Sequence, residues 1–311
     1  MKNLLLALMC LLFVFLALGS DSGAGWTTFG TQGSGTNQFL LPSGIAADRS
    51  GHIYVADGGN NRIVRMNDIS GAGWTTFGTP GSDTNQFFQP AGIAVDGSGH
   101  IYIADGGNNR IVRVNDMSGV GWTTLGGTKA SGTNQFMNPY GVAVDGSGHI
   151  YIVDYGNNRI VRVNDISGKG WTTFGAKGRG TNQFFQPVGI AVDGSGHIYV
   201  ADGGNDRIVR MNDMSGVGWT TLGSSGRGTK QFMNPEAVAV DGSGHIYVAE
   251  VSNNRIVRMN DMSGKGWTTL GGAPGGGTNQ FSQPMGVAAD VRGNIYVADY
   301  SNNRIVRFVV P

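Results

Sequence analysis

The residues of this chain that could do chemistry are five histidines, two sets of six acids, and a few basic and aromatic side chains. Nearly all recur at one spacing. His52, His100, His149, His197 and His245 each stand in a Gly-His-Ile-Tyr run, and Asn294 takes the place in a sixth copy. Imidazole is a common zinc ligand, but a site needs about three protein ligands converging on one ion. Histidines occupying one position in successive copies are spread apart by the copies themselves, so no metal site is expected from them. Asp48, Asp96, Asp145, Asp193, Asp241 and Asp290 precede turns of the Asp-Gly-Ser-Gly type, where a carboxylate caps the turn's own N–H groups. Asp57, Asp105, Asp154, Asp202, Glu250 and Asp299 lie just before Arg62, Arg110, Arg159, Arg207, Arg255 and Arg304, a spacing suited to carboxylate–guanidinium forks. An active site needs different groups in different roles, which six equivalent carboxylates do not supply.

Subtracting this common pattern leaves the residues in which the copies differ. One position reads Ser43, Ala91, Tyr140, Val188, Glu236 and Met285 in turn. A second varies through Tyr155, Glu250-Val251-Ser252 and Tyr300-Ser301. Lys129, Lys177, Arg179, Arg227 and Lys230 give three consecutive copies a basic arc. Guanidinium and ammonium groups hold phosphate, sulfate or uronate by charge, and a tyrosine face stacks on a sugar or base. The candidate ligand-binding residues are therefore Tyr140, Tyr155, Lys177, Arg179, Arg227, Lys230 and Glu236. No catalytic residue, metal or cofactor is assigned, because neither a Ser-His-Asp arrangement nor a Gly-x-Ser-x-Gly elbow is present.

The elements that must position these residues follow from the repetition. Trp26, Trp74, Trp122, Trp171, Trp219 and Trp267 are 48 or 49 residues apart, a period belonging to propellers and solenoids. Within one unit, Gly92 to Asp96 reads as a buried strand closed by Gly97-Ser98-Gly99, and Ile101 to Ala104 as a second strand. Arg110 to Val114 alternates polar and apolar residues as a third, and Gly121 to Leu125 reads as a fourth. Four strands per period make a blade, so the chain is expected to be all-β, a six-bladed β-propeller of four-stranded antiparallel blades. The chain starts with a lone Trp26–Phe29 strand and ends without a fourth one after Arg307, so the first strand should complete the last blade and close the ring.

Pro90-x-Gly-Ile-Ala-Val-Asp, Ile101-Tyr-Ile-Ala-Asp and Asn108-Asn-Arg-Ile-Val-Arg resemble the NHL-repeat signature, and six such units fill residues 25 to 310. The resemblance implies a six-bladed NHL propeller. Members of that family act as protein- or RNA-binding modules, as extracellular sensor domains and, in a few cases, as metal-dependent lyases; sugar lactonases share a related fold.

Lys2 followed by an apolar run from Leu4 to Leu18 and the small residues Ala17 and Gly19 reads as a secretory signal over residues 1–19. The run is shorter than the roughly 20 residues that span a bilayer. Residues 20–311 then form one propeller, secreted or periplasmic, without a membrane span and monomeric. Cys10, the only cysteine, lies in the signal, so disulfides and thiol chemistry are excluded from the remainder. A net charge of +1 argues against DNA, and export disfavours RNA. The expected function is that of a non-catalytic binding propeller. Its partner would be a protein, peptide or anionic glycan on the face carrying the loops into the inner strands and the second-to-third-strand loops. The alternative is a metal-dependent lyase or lactonase-like hydrolase on the same fold.

Overall fold

Short runs of β-branched and aromatic residues, cut every five or six positions by Gly, Asn or Asp, can make only short strands joined by tight turns. The computed structural model describes residues 25–309. The apolar leader expected over residues 1–19, with Cys10, lies outside the described residues. In the first blade the strands are Pro42–Ala47, Ile53–Asp57, Arg62–Met66 and Thr75–Phe77, paired in that order and antiparallel throughout. Four further sheets repeat this plan, and the sixth is completed from the N-terminus. Each inner strand begins with proline, at the strand's first residue, where proline is tolerated.

The core lies between blades. Tyr54, Ala56 and Ile63 of the first blade pack against Ile93, Ile101, Ile103, Val112 and Phe87 of the second, and equivalent clusters fill the other junctions. Phe39, Phe87, Phe136, Phe184, Phe232 and Phe281 are completely buried. Each contributes about 1.5–3 kcal/mol by leaving water. The inner strands press together so closely that a Cβ on Gly92 would lie 2.3 Å from the Tyr140 carbonyl oxygen, and Gly44, Gly141, Gly189 and Gly286 are equally crowded by backbone. Those glycines set the width of the ring. The inner strands were expected to be buried on both sides, yet Gly92, Ala94 and Val95 are only half-buried. Gly92, with Ala91 and Ile93, lines an axial channel, so the first half of the strand faces a bore rather than a neighbour, while Ala94 and Val95 edge the clusters between blades.

The ring closes as its end strands require. Thr27–Phe29 pairs antiparallel with Arg304–Val309, with Thr27 opposite Arg307 and Phe29 opposite Ile305. Trp26 sits just before this strand and packs its ring 6.0 Å from Phe308 and 5.2 Å from Phe281. A second clasp joins the last blade to the first, where the Leu41 N–H donates to Asn303 Oδ1 at 2.9 Å. This is one of six equivalent bonds. The second Asn of each Asn-Asn-Arg run, or Asp206 in the fourth blade, adopts the left-handed conformation and accepts an N–H from the next blade. Asn and Asp tolerate that conformation better than other side chains, and here it aims the side chain across the gap.

Candidate functional site

Strands run alternately up and down within a blade, so each blade offers one pair of loops to each end of the ring. At one end are the turns holding the histidines. Asp48 Oδ1 accepts the Ser50 and His52 N–H groups, while Oδ2 meets His52 Nδ1 at 2.7 Å and the Tyr54 hydroxyl at 3.2 Å. Five blades share this net, and Asn294 replaces the imidazole in the sixth with Nδ2 donating to Asp290 at 2.7 Å. Burial alone would raise the Asp48 carboxyl; the donors from His52 and Ser50 outweigh it and hold the group below its ordinary value. These carboxylates cap their turns, as the spacing indicates, and each also orients an imidazole.

The carboxylate–guanidinium forks lie at the opposite end, each made through a single Nε contact rather than two parallel bonds, because the other guanidinium nitrogens bond loop carbonyls. Asp57 is fully buried and accepts from the Leu40 N–H, from Asn60 Nδ2 and from Arg62 Nε at 2.9 Å. The Arg62 guanidinium also bonds the carbonyls of Ser34 and Gln38 in the loop leading into the blade, and it lies 5.8 Å from the centre of the Trp74 ring. Burial pushes the Asp57 carboxyl up, and its donors pull it back only in part. Glu250 makes the same fork in the fifth blade with Met233, Asn253 and Arg255. This places Glu250 inside the blade rather than on a recognition surface. Asp, Asn and Arg of the repeated motif are thus consumed in holding one loop against another.

Above these forks opens the upper mouth of the channel. The narrow bore, of about 80 Å³, receives one segment from every blade and includes Ser43, Ala91, Tyr140, Val188, Glu236 and Met285, the varied position of each copy. Tyr140 reaches across the mouth to the opposite blade, where its hydroxyl lies 4.0 Å from Met285 Sδ, and its ring tilts against Tyr155 at 6.2 Å. Burial first, then the nearby Glu236, raises the Tyr140 phenol. Glu236 accepts a 3.1 Å bond from Asn234 Nδ2, and burial in the bore pushes its carboxyl up to about 7. Beside the bore is a hollow of about 330 Å³ that includes Leu41, Phe88, Asn138, Tyr140, Met285 and Tyr300.

The structure brings Tyr140, Tyr155 and Glu236 together but places the basic candidates elsewhere. Lys177, Arg179, Arg227 and Lys230 are exposed, and none lines the bore or the hollow beside it. Lys177 lies 5.6 Å from the Phe185 ring centre, while Arg179 borders a hollow shared with Thr221 and Ser224 at the outer edge of the fourth blade. The Lys230 stem packs on Gly264, in the turn between the third and fourth strands of the fifth blade, and so rides the outer wall away from Glu236. Among the described residues no three His, Cys, Asp or Glu side chains gather as a metal set. Sequence reasoning missed an apolar ring on the upper face. Leu40, Phe88, Met137 and Phe185 occupy one position of Gln-Phe-x-x-Pro and each covers a glycine of the next loop, with Phe88 49% exposed. Their recurrence beside the invariant Phe was the available signal.

The NHL-repeat family model matches residues 39–66, 87–114, 136–162, 184–211, 232–259 and 281–308, one stretch per blade. The chain belongs to the NHL-repeat family. No curated protein sequence matches it. Among solved structures, the virginiamycin B lyase of Staphylococcus aureus superposes with a TM-score of 0.63 at 15% identity, covering 92% of this chain and 99% of the lyase. A gluconolactonase of Xanthomonas campestris gives 0.63 at 16% identity over 88% of this chain and 87% of its own. A chain of a nidogen/laminin complex gives 0.60 at 20% identity over 79% and 93%. At these identities the likeness is one of fold, and NHL and related propellers carry both enzymes and binding modules.

Proposed function

We propose that this NHL propeller is an exported binding module whose upper mouth receives a protein or peptide segment. The observation that carries this reading is a division of labour. Residues the six copies share are used up in turn caps, forks and blade-to-blade clasps, whereas the varied position that reads Ser43, Ala91, Tyr140, Val188, Glu236 and Met285 lines one mouth in all six blades. A hollow edged by Phe88, Tyr140, Tyr300, Leu41 and Met285, with Asn and Gln amides between them, combines apolar anchors with adaptable hydrogen-bonding groups. Interfaces with peptides and proteins have that composition. Of the similar structures, the nidogen/laminin complex supports a binding role by analogy alone. The exposed basic arc supports an anionic glycan as a second reading, with the ligand at the outer wall of the fourth and fifth blades rather than at the mouth.

Capture from cell-envelope extract by three proteins separates the readings: the parent, a mouth variant with Phe88, Tyr155 and Tyr300 changed to Ser, and a rim variant with Lys177, Arg179, Arg227 and Lys230 changed to Ser. A partner kept by the parent and rim variant and lost from the mouth variant is the expected result. Loss from the rim variant alone, with strong salt dependence, selects the glycan. Equal capture by all three overturns both.

A further inference from the structure

Glu236 departs from every other copy in a way the fold does not use. The equivalent Ser43 hydroxyl has the carbonyls of Ala56, Pro90 and Ala91 within reach of its one donor, and the other copies place an uncharged side chain there. Glu236 receives one neutral donor, from Asn234, on Oε1. No Lys, Arg or His lines the bore or its hollow, and no ion pair among the described residues includes Glu236. A carboxylate lining a narrow bore with a single partner costs stability unless something charged completes it.

Its surroundings name the missing charge. Tyr140 and Tyr155 both sense the Glu236 charge, and their rings lie tilted against each other over the mouth. Two phenol faces and a carboxylate together attract a cation through ring quadrupoles and a charge-assisted bond. Calcium or magnesium would need about six oxygen ligands and zinc about three protein ligands, and no three His, Cys, Asp or Glu side chains gather here among the described residues. A narrow bore opening into a wider hollow admits a slender cationic tip with its bulkier body outside. We propose that Glu236, Tyr140 and Tyr155 form a pocket for an alkylammonium group, the lysine side chain of a bound protein or peptide segment. This rests on the reading of the upper mouth as a protein- or peptide-binding face.

The test uses small probes, so that it does not depend on knowing the partner. Nα-acetyl-lysine methylamide and its Nε-trimethylated form are titrated into the full chain by ligand-observed NMR, with the neutral Nε-acetyl form as control. The same titrations are run on E236Q, Y155L and the rim variant. Both cationic probes should bind the parent and the rim variant, while the neutral control, E236Q and Y155L should each show at least about tenfold weaker binding, the scale of one lost charged contact. E236Q keeps the side-chain shape and an acceptor for Asn234, so its folding can be verified by an unchanged circular dichroism spectrum. Equal binding of cationic and neutral probes, or full binding by E236Q, overturns the pocket. If the mouth variant loses a captured partner while the probes ignore Glu236, the pocket fails and the face survives. If the probes require Glu236 but the mouth variant keeps its partner, the face fails instead.

Discussion

Replacing Glu236 by Gln should stabilise the protein, and only above a defined pH. The carboxyl is pushed up to about 7 by burial in the bore, against about 4.3 for a free glutamate. The folded state therefore holds the proton more tightly than the unfolded chain. The associated stability is fully present below about pH 4, declines as pH rises toward 7, and is lost above it. At about 1.4 kcal/mol per unit, the ionised carboxylate costs roughly 3–4 kcal/mol at pH 8. Gln carries no charge to desolvate and can still accept from Asn234 Nδ2. Urea unfolding of parent and E236Q should give overlapping curves near pH 4 and diverge to a gap of about 3–4 kcal/mol at pH 8, with E236Q the more stable. The other titrating groups are common to both proteins and cancel in the difference. A pH-independent gap, or an E236Q protein less stable at pH 8, would refute the argument that Glu236 is a desolvated charge held at a cost to the fold.

Four further perturbations probe the scaffold. Deleting residues 25–29 uncovers the edge of Arg304–Val309 and removes the buried Trp26, so the ring should lose more than about 4 kcal/mol and unfold as a unit; a normal melting curve refutes closure by this strand. Changing Asp202 to Ala leaves the Arg207 guanidinium without its carboxylate and the Phe185 N–H without an acceptor, an expected loss of about 3–5 kcal/mol in chemical denaturation. Changing the half-exposed His197 to Ala should cost under about 1.5 kcal/mol. Lys230 holds φ 58° where five other copies place Asn37, Asn85, Asn134, Asn182 and Asn279, so K230N should gain about 1 kcal/mol in thermal melts. No gain would show that the Lys230 stem on Gly264 repays the backbone strain.

Much of the fold was legible because a repeat turns one local pattern into a global constraint. The Trp spacing set the blade count, and the unpaired Trp26 strand with the missing fourth strand after Arg307 set the closure. The Asp48 turn cap and the Asp57–Arg62 fork followed from short-range spacing, where a sequence constrains geometry directly. What stayed hidden depends on contacts between copies. Asn61 and Asn303 reach the next blade from the left-handed conformation, and Gly92 is required by the Tyr140 carbonyl of a neighbouring strand. Radial position was hidden as well. Lys230 and Glu236 are six residues apart, but the intervening turn sends one to the outer wall and the other to the axis. The basic arc and the tyrosine pair, one set in the linear reading, are therefore two separate surfaces.

The most direct test of the division between scaffold and mouth is the affinity of a captured partner for two triple variants, measured side by side by calorimetry. One carries Phe88, Tyr155 and Tyr300 changed to Ser on the upper mouth; the other carries His52, His149 and His245 changed to Asn, as at position 294, on the opposite end. The account predicts at least about a tenfold loss for the first, corresponding to about 1.4 kcal/mol, and no change for the second. Unchanged affinity in the first and a loss in the second would place the binding face at the wrong end of the ring.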